Sequence, residues 1–224
     1  MQRLSPEDHA LVTEAVAKAE TQSDGEIVTI VAGRSDAYHD VALHYAILMM
    51  LIVPAMLAML PQGWIDWAEG LMLGWNGEFT RAASMIVLFV LLALAFLIVR
   101  LALAWMPLRM ALTPGRTKSR RVHRRAVQLF RSGCELKTLG RTGILIYLSL
   151  AEHRAEIVAD EAIASHVEPE VWGEAMEAMI ELVKAGRSGE GMAAAVEKVS
   201  LVLARVVPKS SDNPNELPDR LIEL

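Results

Sequence analysis

The sequence predicts an α/β domain that is interrupted by a pair of membrane-spanning helices. Three observations support this prediction. Short β-branched segments alternate with amphipathic helical segments, as they do in soluble α/β domains. Two long uncharged runs, residues 41–60 and 82–99, separate the first strand-like segment from the rest. Hydrophobic residues make up 53% of the chain and charged residues 22%, so a mixed architecture fits better than a wholly embedded bundle.

The first soluble segment predicts a helix followed by a strand. Ser5 is typical of a helix cap, Pro6 suits the first turn, and the acidic residues that follow match the positive end of the helix dipole. An apolar face with helical spacing continues as far as residue 19. Residues 27–32 are rich in β-branched side chains and predict a strand.

The two uncharged runs predict a membrane hairpin over residues 41–106, with an external connector at residues 61–81. About 20 residues at about 1.5 Å each cover the ~30 Å hydrocarbon core of a bilayer. Two buried helices of a soluble core are the alternative, which we disfavour because the chain is too small to enclose them. Interfacial aromatic residues typically flank membrane spans, and the tryptophans near these runs are Trp64, Trp67, Trp75 and Trp105.

Basic residues predict the orientation of the hairpin. The connector has no lysine or arginine before Arg81, whereas the segment after the second run is strongly basic. The positive-inside rule then places both termini in the cytoplasm. A basic patch beside a span favours anionic lipid headgroups over nucleic acid, and the net charge of −5 also gives no reason to expect nucleic acid. The predicted headgroup contacts are Arg116, Lys118, Arg120, Arg121 and Arg124.

The segment after the hairpin continues the soluble part. Residues 119–131 predict a basic amphipathic helix. Residues 143–150 and 155–159 predict two strands that pair antiparallel around a tight connection. Two helices follow, one that starts at Pro169 and one over residues 192–207.

Residues 1–40 and 119–208 therefore predict one discontinuous domain. The first strand, the basic helix and the second strand form a βαβ unit, and the hairpin is inserted at its strand-to-helix connection. Residues 209–224 form a polar tail without periodicity, which we expect to be extended along the surface or partly disordered.

Several segments carry a family resemblance when they are taken in order. They are AKAETQSDGEIVTIVAGRSDAY, RAVQLF, TGILIYLSLAEHRAEIVADEAI, VWGEAMEAMIELVKAGRSGEGMAAAV and NELPD. In these segments, which cover the chain outside the hairpin, the protein resembles the TPM domain family. The resemblance implies a small α/β/α sandwich, TPM-like, here with an inserted two-helix transmembrane hairpin.

The resemblance also implies a range of functions. Bacterial members with an inserted hairpin are predicted membrane proteins, which implies a location in the bacterial inner (cell) membrane. Other members are thylakoid-lumen proteins linked to photosystem repair, for which acid phosphatase activity has been proposed, and an accessory protein of an animal receptor. Metal binding has been proposed for some members. Because these functions are scattered, the resemblance implies a fold more directly than an activity.

The candidate site predicted from the residues is acidic. Asp24 and Glu26 stand at the start of the first strand, and Asp160 and Glu161 follow the third predicted strand, so all four should meet at one edge of the sheet. Clustered carboxylates favour a hard cation with oxygen ligands, and Ca²⁺ or Mg²⁺ would suit. The alternative is that these are solvated ends of strands and helices.

The sequence leaves two functions open. We expect a membrane-anchored binding or accessory module with a protein partner of unknown identity and a divalent cation as a candidate ligand. The alternative is a metal-dependent phosphatase-like hydrolase, although no nucleotide-binding glycine loop, zinc-protease helix or nucleophile elbow is present. Ser35 and Asp36 lie at the usual ligand edge of an α/β sheet, but we expect that edge to face the lipid.

Overall fold

The computed structural model of the protein describes residues 4–73, 80–133, 142–210 and 217–224. Along this part of the chain the elements are, in order, α1 (Pro6–Glu20), β1 (Glu26–Ala32), α2 (His39–Met59), α3 (Gln62–Leu73), α4 (Arg81–Ala102), α5 (Met106–Leu112), α6 (Gly115–Gly133), β2 (Gly143–Ser149), β3 (Arg154–Ala159), α7 (Glu161–Ala164), α8 (Pro169–Lys184), α9 (Ser188–Val206) and β4 (Ile222–Glu223). The chain divides into two compact units. The first contains Met1–Ala37 and Pro114–Leu224, and the second contains Tyr38–Thr113.

A four-stranded mixed sheet in the order β3-β2-β1-β4 forms the centre of the first unit. β1 and β2 pair in parallel, from Glu26 opposite Gly143 to Ala32 opposite Ser149. β2 and β3 form the predicted antiparallel pair. Every residue of β1 and β2 is buried, as is typical of central strands with helices on both faces. The predicted α/β class is therefore confirmed.

Alternate side chains of the strands fill two apolar layers, because successive residues of a strand point to opposite faces. Ile27 belongs to the layer beneath α1, α8 and α9. Val28 belongs to the layer beneath α6. Buried helical residues of the first layer include Val12, Val16, Met179, Val196 and Leu203. Those of the second layer are Val122, Ala126 and Phe130.

α1 begins as the sequence predicts. Ser5 Oγ accepts a hydrogen bond from Asp8 N at 3.1 Å, and the Asp8 carboxylate accepts one from Ser5 N at 2.9 Å. This reciprocal capping box satisfies two backbone donors at the helix start. The buried stripe of Val12, Val16 and Ala19 then holds the helix against the sheet.

The C-terminal tail differs from the prediction of a surface or disordered segment. β4 pairs in parallel with β1, and Leu224 N continues this pairing with a 2.9 Å bond to the Val31 carbonyl. Leu217 and Leu221 are each only 4% exposed. These two leucines therefore belong to the core of the first unit, while residues 211–216 lie outside the described ranges. A two-residue strand is too short to leave a periodic pattern in the sequence.

The second unit contains α2, α3, α4 and α5. α2 and α4 pack against each other, and by length and composition both are able to cross a membrane. α3 occupies the predicted connector, of which residues 74–79, including Trp75, lie outside the described part. Pro54 lies within α2, which nevertheless continues to Met59.

The second unit also extends beyond the predicted end of the hairpin at residue 106. α5 follows α4 after a short turn, and Arg109 of α5 is only 5% exposed. Arg109 Nε donates to the Leu103 carbonyl at 2.6 Å, just beyond the end of α4. This arginine therefore caps a carbonyl group at a helix C-terminus, where a cation is favourable.

Candidate functional site

The edge of the sheet where β1 and β2 begin holds two of the four predicted carboxylates. Glu26 opens β1 opposite Gly143, and Asp160 follows β3 on the other side of Gly143. Asp160 N donates to the Gly143 carbonyl at 3.0 Å, and Asp160 Oδ2 accepts from Gly143 N at 3.1 Å. Only 3% of Glu26 and 5% of Asp160 are exposed. The two acids therefore lie on either side of a residue that has no side chain.

The other two predicted carboxylates have different surroundings. Asp24 Oδ1 accepts from Ser210 N at 3.0 Å, and hydrogen bonding by Ser210 holds the pKa of Asp24 below its usual range. Glu161 is exposed at the start of α7. Within the described ranges, no group of three or more His, Cys, Asp or Glu side chains is placed to hold a metal ion. Binding of Ca²⁺ or Mg²⁺ by the four carboxylates therefore stays a prediction.

A further carboxyl group, Glu20, was not among the predicted site residues. Glu20 Oε1 accepts from Ile27 N at 3.2 Å, and the side chain of Asp219 hydrogen-bonds to Glu20. Burial is the largest cause that raises the pKa of Glu20 to about 8, and the charges of Glu26 and Asp219 add to it. At neutral pH Glu20 is therefore protonated and is able to donate to Asp219.

Glu20 and Glu26 both hold the tail. Leu217 N donates to Glu26 Oε2 at 3.2 Å. Glu20 of α1 and Glu26 of β1 therefore each form a hydrogen bond with a residue of the tail. The spacing of Val12, Val16 and Glu20 carried a signal for this arrangement, because residues four apart share one face of a helix. An acid that continues a buried stripe requires a partner, and here the partner comes from the tail.

The opposite edge of the sheet, where ligands of α/β folds usually bind, holds a chain of hydrogen-bonded side chains. Ser35 Oγ lies 3.0 Å from Tyr147 Oη and donates to Ser149 Oγ at 2.9 Å. Ser149 Oγ donates to Glu152 Oε2, and Glu152 Oε1 accepts from Ser35 N at 2.9 Å. We call these four residues the hydroxyl network. It joins the loop after β1 to the turn between β2 and β3.

The hydroxyl network is mostly buried. Tyr147 and Ser149 have no exposed surface and Glu152 is 6% exposed, whereas Ser35 is half-buried. Burial raises the pKa of the Tyr147 hydroxyl, which is therefore a donor at neutral pH. A serine that donates to a carboxylate resembles a nucleophile with its base. Because both carboxylate oxygens of Glu152 already accept bonds, the direct consequence of the network is a fixed loop conformation.

Sequence reasoning placed Ser35 and Asp36 at this edge but did not identify the rest of the network. Ser149 ends β2 and Glu152 follows three residues later in the turn. A polar residue at the end of a buried strand, followed closely by an acid, was the sequence pattern that could have indicated this network. Asp36 Oδ2 accepts from Arg121 Nη1 of α6, which adds an ion pair to the same loop.

The basic helix α6 is the third candidate functional feature of the first unit, after the two edges of the sheet. It carries no aspartate or glutamate, and its first turn has no acidic residue. Arg116, Arg120 and Arg124 are exposed, and their spacing of four places them along one side of the helix. We call these three residues the arginine stripe. Arg121, a fourth predicted headgroup contact, instead pairs with Asp36.

Comparisons with known proteins give information on the fold alone. No protein-family model matches the chain, and a comparison with curated proteins found no match. The solved NMR structure of BA42 protein from the psychrophilic bacterium Bizionia argentinensis is similar, with a TM-score of 0.56 and 16% sequence identity. The match covers 100% of this chain and 97% of that chain. At this identity the likeness supports the α/β fold and carries no function.

Proposed function

We propose that the protein is a membrane-anchored binding or accessory module of the TPM type, with its α/β domain on the cytoplasmic side of a bacterial inner membrane. The exposure of α2 and α4 is the observation that carries this proposal. Their apolar windows have mean hydropathies of 2.2 and 3.0. Only 17% of the α2 window and none of the α4 window is buried. A core helix of a soluble protein would instead be mostly buried.

The surface of α4 favours a lipid environment. Its 22 residues reach about 33 Å at about 1.5 Å each, close to the thickness of a hydrocarbon core. Phe89 is 71% exposed and Ile98 is 64% exposed. Each large apolar side chain left in water forgoes about 1.5–3 kcal/mol, and contiguous apolar surfaces of this kind are rare on soluble proteins.

The composition of α6 supports the choice of anionic headgroups as the lipid partner. A helix N-terminus carries a partial positive charge, so cations in the first turns are unfavourable unless an anion is near. α6 nevertheless begins with Arg116 and Lys118 and contains no acid. It also begins three residues after α5 ends, so its first turn follows the hairpin segment almost directly in the sequence. Phosphate groups of anionic lipids would neutralise the arginine stripe.

The polar groups at the strand ends favour an accessory module over an enzyme. In the described residues, the hydroxyl network pairs its donors and acceptors with one another, as a structural network does. An enzyme site would instead hold polar groups ready for a substrate.

Cysteine accessibility tests the anchor and its orientation. Cys134 is the only cysteine, so the native chain and a Cys134→Ser, Gly63→Cys chain form a matched pair of single-cysteine proteins. We expect a membrane-impermeant maleimide to label Gly63→Cys in intact spheroplasts, and Cys134 only after permeabilisation. Release of the protein by alkaline carbonate, or labelling of both cysteines in intact spheroplasts, would contradict the proposal.

Thermal unfolding in nanodiscs tests the lipid contact separately. Wild type is expected to be more stable in nanodiscs rich in anionic lipid than in zwitterionic nanodiscs. Replacing the arginine stripe with glutamine should remove most of that difference. The control replaces Lys18, Lys198 and Arg205, which are exposed on other helices of the first unit, and changes the charge equally. Equal responses of the two triple variants would exclude a specific role for α6.

A metal-dependent phosphatase-like hydrolase is the second candidate, because Ser149 donates to Glu152 at the usual ligand edge. An assay of the full chain with a phosphomonoester, in the presence of Mg²⁺ or Ca²⁺, tests it. Turnover that is lost in Glu152→Gln and kept in Asp160→Ala would favour a hydrolase at this edge, and the reverse result would place the hydrolase at the predicted carboxylates of the opposite edge. Absence of turnover with either metal would favour the accessory module.

A further inference from the structure

α3 has an exposed apolar stripe of Trp64, Trp67 and Leu71, which we call the tryptophan stripe. Trp64, Trp67 and Leu71 follow one another at helical spacing and lie on one side of the helix. Their exposed fractions are 64%, 65% and 74%. These are large side chains, and two of them have a polar indole N–H next to an apolar ring.

The opposite side of α3 is polar. Gln62 and Asp66 lie there, and Gln62 Nε2 donates to Asp66 Oδ1 at 3.0 Å. With about 100° of rotation per residue, Gln62 points about 170° and Asp66 about 130° away from the centre of the tryptophan stripe. α3 is therefore amphipathic along its length, although it is too short to cross a hydrocarbon core.

The position of α3 in the chain identifies the surface that it faces. α2 ends at Met59, three residues before α3 begins at Gln62, and α4 begins at Arg81. If α2 and α4 cross a bilayer, both ends of the segment that contains α3 are held at the same headgroup layer. A helix in that place, with an exposed tryptophan stripe, has the pattern of an interfacial helix.

We propose that α3 lies in the plane of the outer headgroup layer, with Trp64, Trp67 and Leu71 buried in the lipid interface and Asp66 facing water. This inference rests on the proposed membrane anchor. The lipid it favours is zwitterionic, because α3 contains acidic residues and no lysine or arginine. In this respect α3 is the opposite of α6, so the protein would contact two chemically different lipid surfaces.

Spin-label accessibility on the full chain in zwitterionic nanodiscs tests the proposal. Labels are placed one at a time at Leu71→Cys, Asp66→Cys and Leu94→Cys in a Cys134→Ser background. We expect the Leu71 label to collide severalfold more with oxygen than with a water-soluble nickel complex, and the Asp66 label to show the reverse preference. The Leu94 label, within α4, reports the anchor itself.

The outcomes separate the two proposals. If the Leu94 label lies in lipid and the Leu71 label lies in water, the interfacial position of α3 is wrong and the membrane anchor is retained. A Leu94 label in water would overturn both. A Leu71 label shielded from both reagents would indicate a protein contact and would also overturn the lipid assignment.

A tryptophan variant gives a second measurement. Replacing Trp64 and Trp67 with glutamine should raise the nickel accessibility of the Leu71 label severalfold, because the helix then loses its anchor in the interface. The control replaces Leu11 and Leu201, exposed leucines of the first unit, and should leave that accessibility unchanged. An unchanged Leu71 label in the tryptophan variant would contradict the proposal.

Discussion

Glu20 illustrates how the fold changes the chemistry of a single residue. Its pKa in the folded protein, about 8, lies above the ordinary value of 4.5, mainly because of burial. The folded state therefore holds this proton more tightly than the unfolded state does. The resulting stabilisation is complete below pH about 4.5 and is lost as the pH rises through about 8.

The variant Glu20→Gln should remove this pH dependence. Glutamine keeps the acceptor for Ile27 N and offers an amide donor towards Asp219, without any charge. We expect the variant to match wild type near pH 4.5 and to be more stable above pH 8, by roughly 1–2 kcal/mol after allowance for partial exposure. Thermal unfolding of the full chain in nanodiscs across this pH range measures the difference.

A second glutamate of α1 provides the control for Glu20→Gln. Glu14 is exposed on the same helix, and Glu14→Gln makes the same chemical change in solvent. Its stability should follow wild type at every pH. If Glu20→Gln also followed wild type throughout, the proton on Glu20 would not contribute to folding.

The residues also show which parts of a site are visible in a sequence. Glu26 and Asp160 could be placed at one edge because strand ends are marked by β-branched runs and by the residues that bound them. Glu20 and Asp219 could not be paired, because their contact depends on a tail that has no periodic pattern. The hydroxyl network was hidden for a related reason, since Ser35 and Ser149 are far apart in the sequence and meet only through parallel pairing of strands.

At the scale of the elements, α8 and α9 pack closely at a glycine. A Cβ atom added at Gly191 of α9 would lie 2.8 Å from the Met179 carbonyl oxygen of α8. Backbone atoms have little freedom to move away from such a contact. By contrast, a Cβ atom added at Gly173 of α8 would meet nothing within 4 Å.

These two glycines make a matched pair of predictions. Gly191→Ala should destabilise the protein by roughly 1–3 kcal/mol, because the added methyl group forces the helices apart. Gly173→Ala should stabilise it by about 0.5–1 kcal/mol, because alanine has the higher helix propensity. Thermal unfolding of both variants measures the changes. A gain of stability in both would show that the helices separate without cost.

Elements with strong local signals were predicted well, and elements without them were not. α1 has a cap, an early proline and a buried stripe, while β2 and β3 have dense β-branched or apolar runs. β4 has two residues and gains its stability from pairing with β1 and from burial of Leu217 and Leu221. Its existence depends on tertiary contacts, which no local pattern records.

At the scale of the whole molecule, the α/β unit is built from two separated stretches of chain. β1 comes before residues 38–113 and α6 comes after them, yet Val28 and Val122 belong to one apolar layer. The ion pair between Asp36 and Arg121 also joins the two stretches. All of these contacts lie within the first unit, so they do not require residues 38–113 as intermediaries.

Removal of residues 38–113 should therefore leave a folded domain. We expect a chain in which a flexible linker of about ten residues joins Ala37 to Pro114 to be soluble and monomeric, because its exposed apolar helices are gone. Its unfolding should still weaken as the pH rises through about 8, since Glu20 and Asp219 both lie in the part that is kept. Size-exclusion chromatography and thermal unfolding measure these properties.

In the same shortened chain, Glu20→Gln should abolish the pH dependence. Aggregation, or a flat pH profile of the shortened chain where the full chain shows the pH dependence, would show that the core of the first unit depends on the inserted segment.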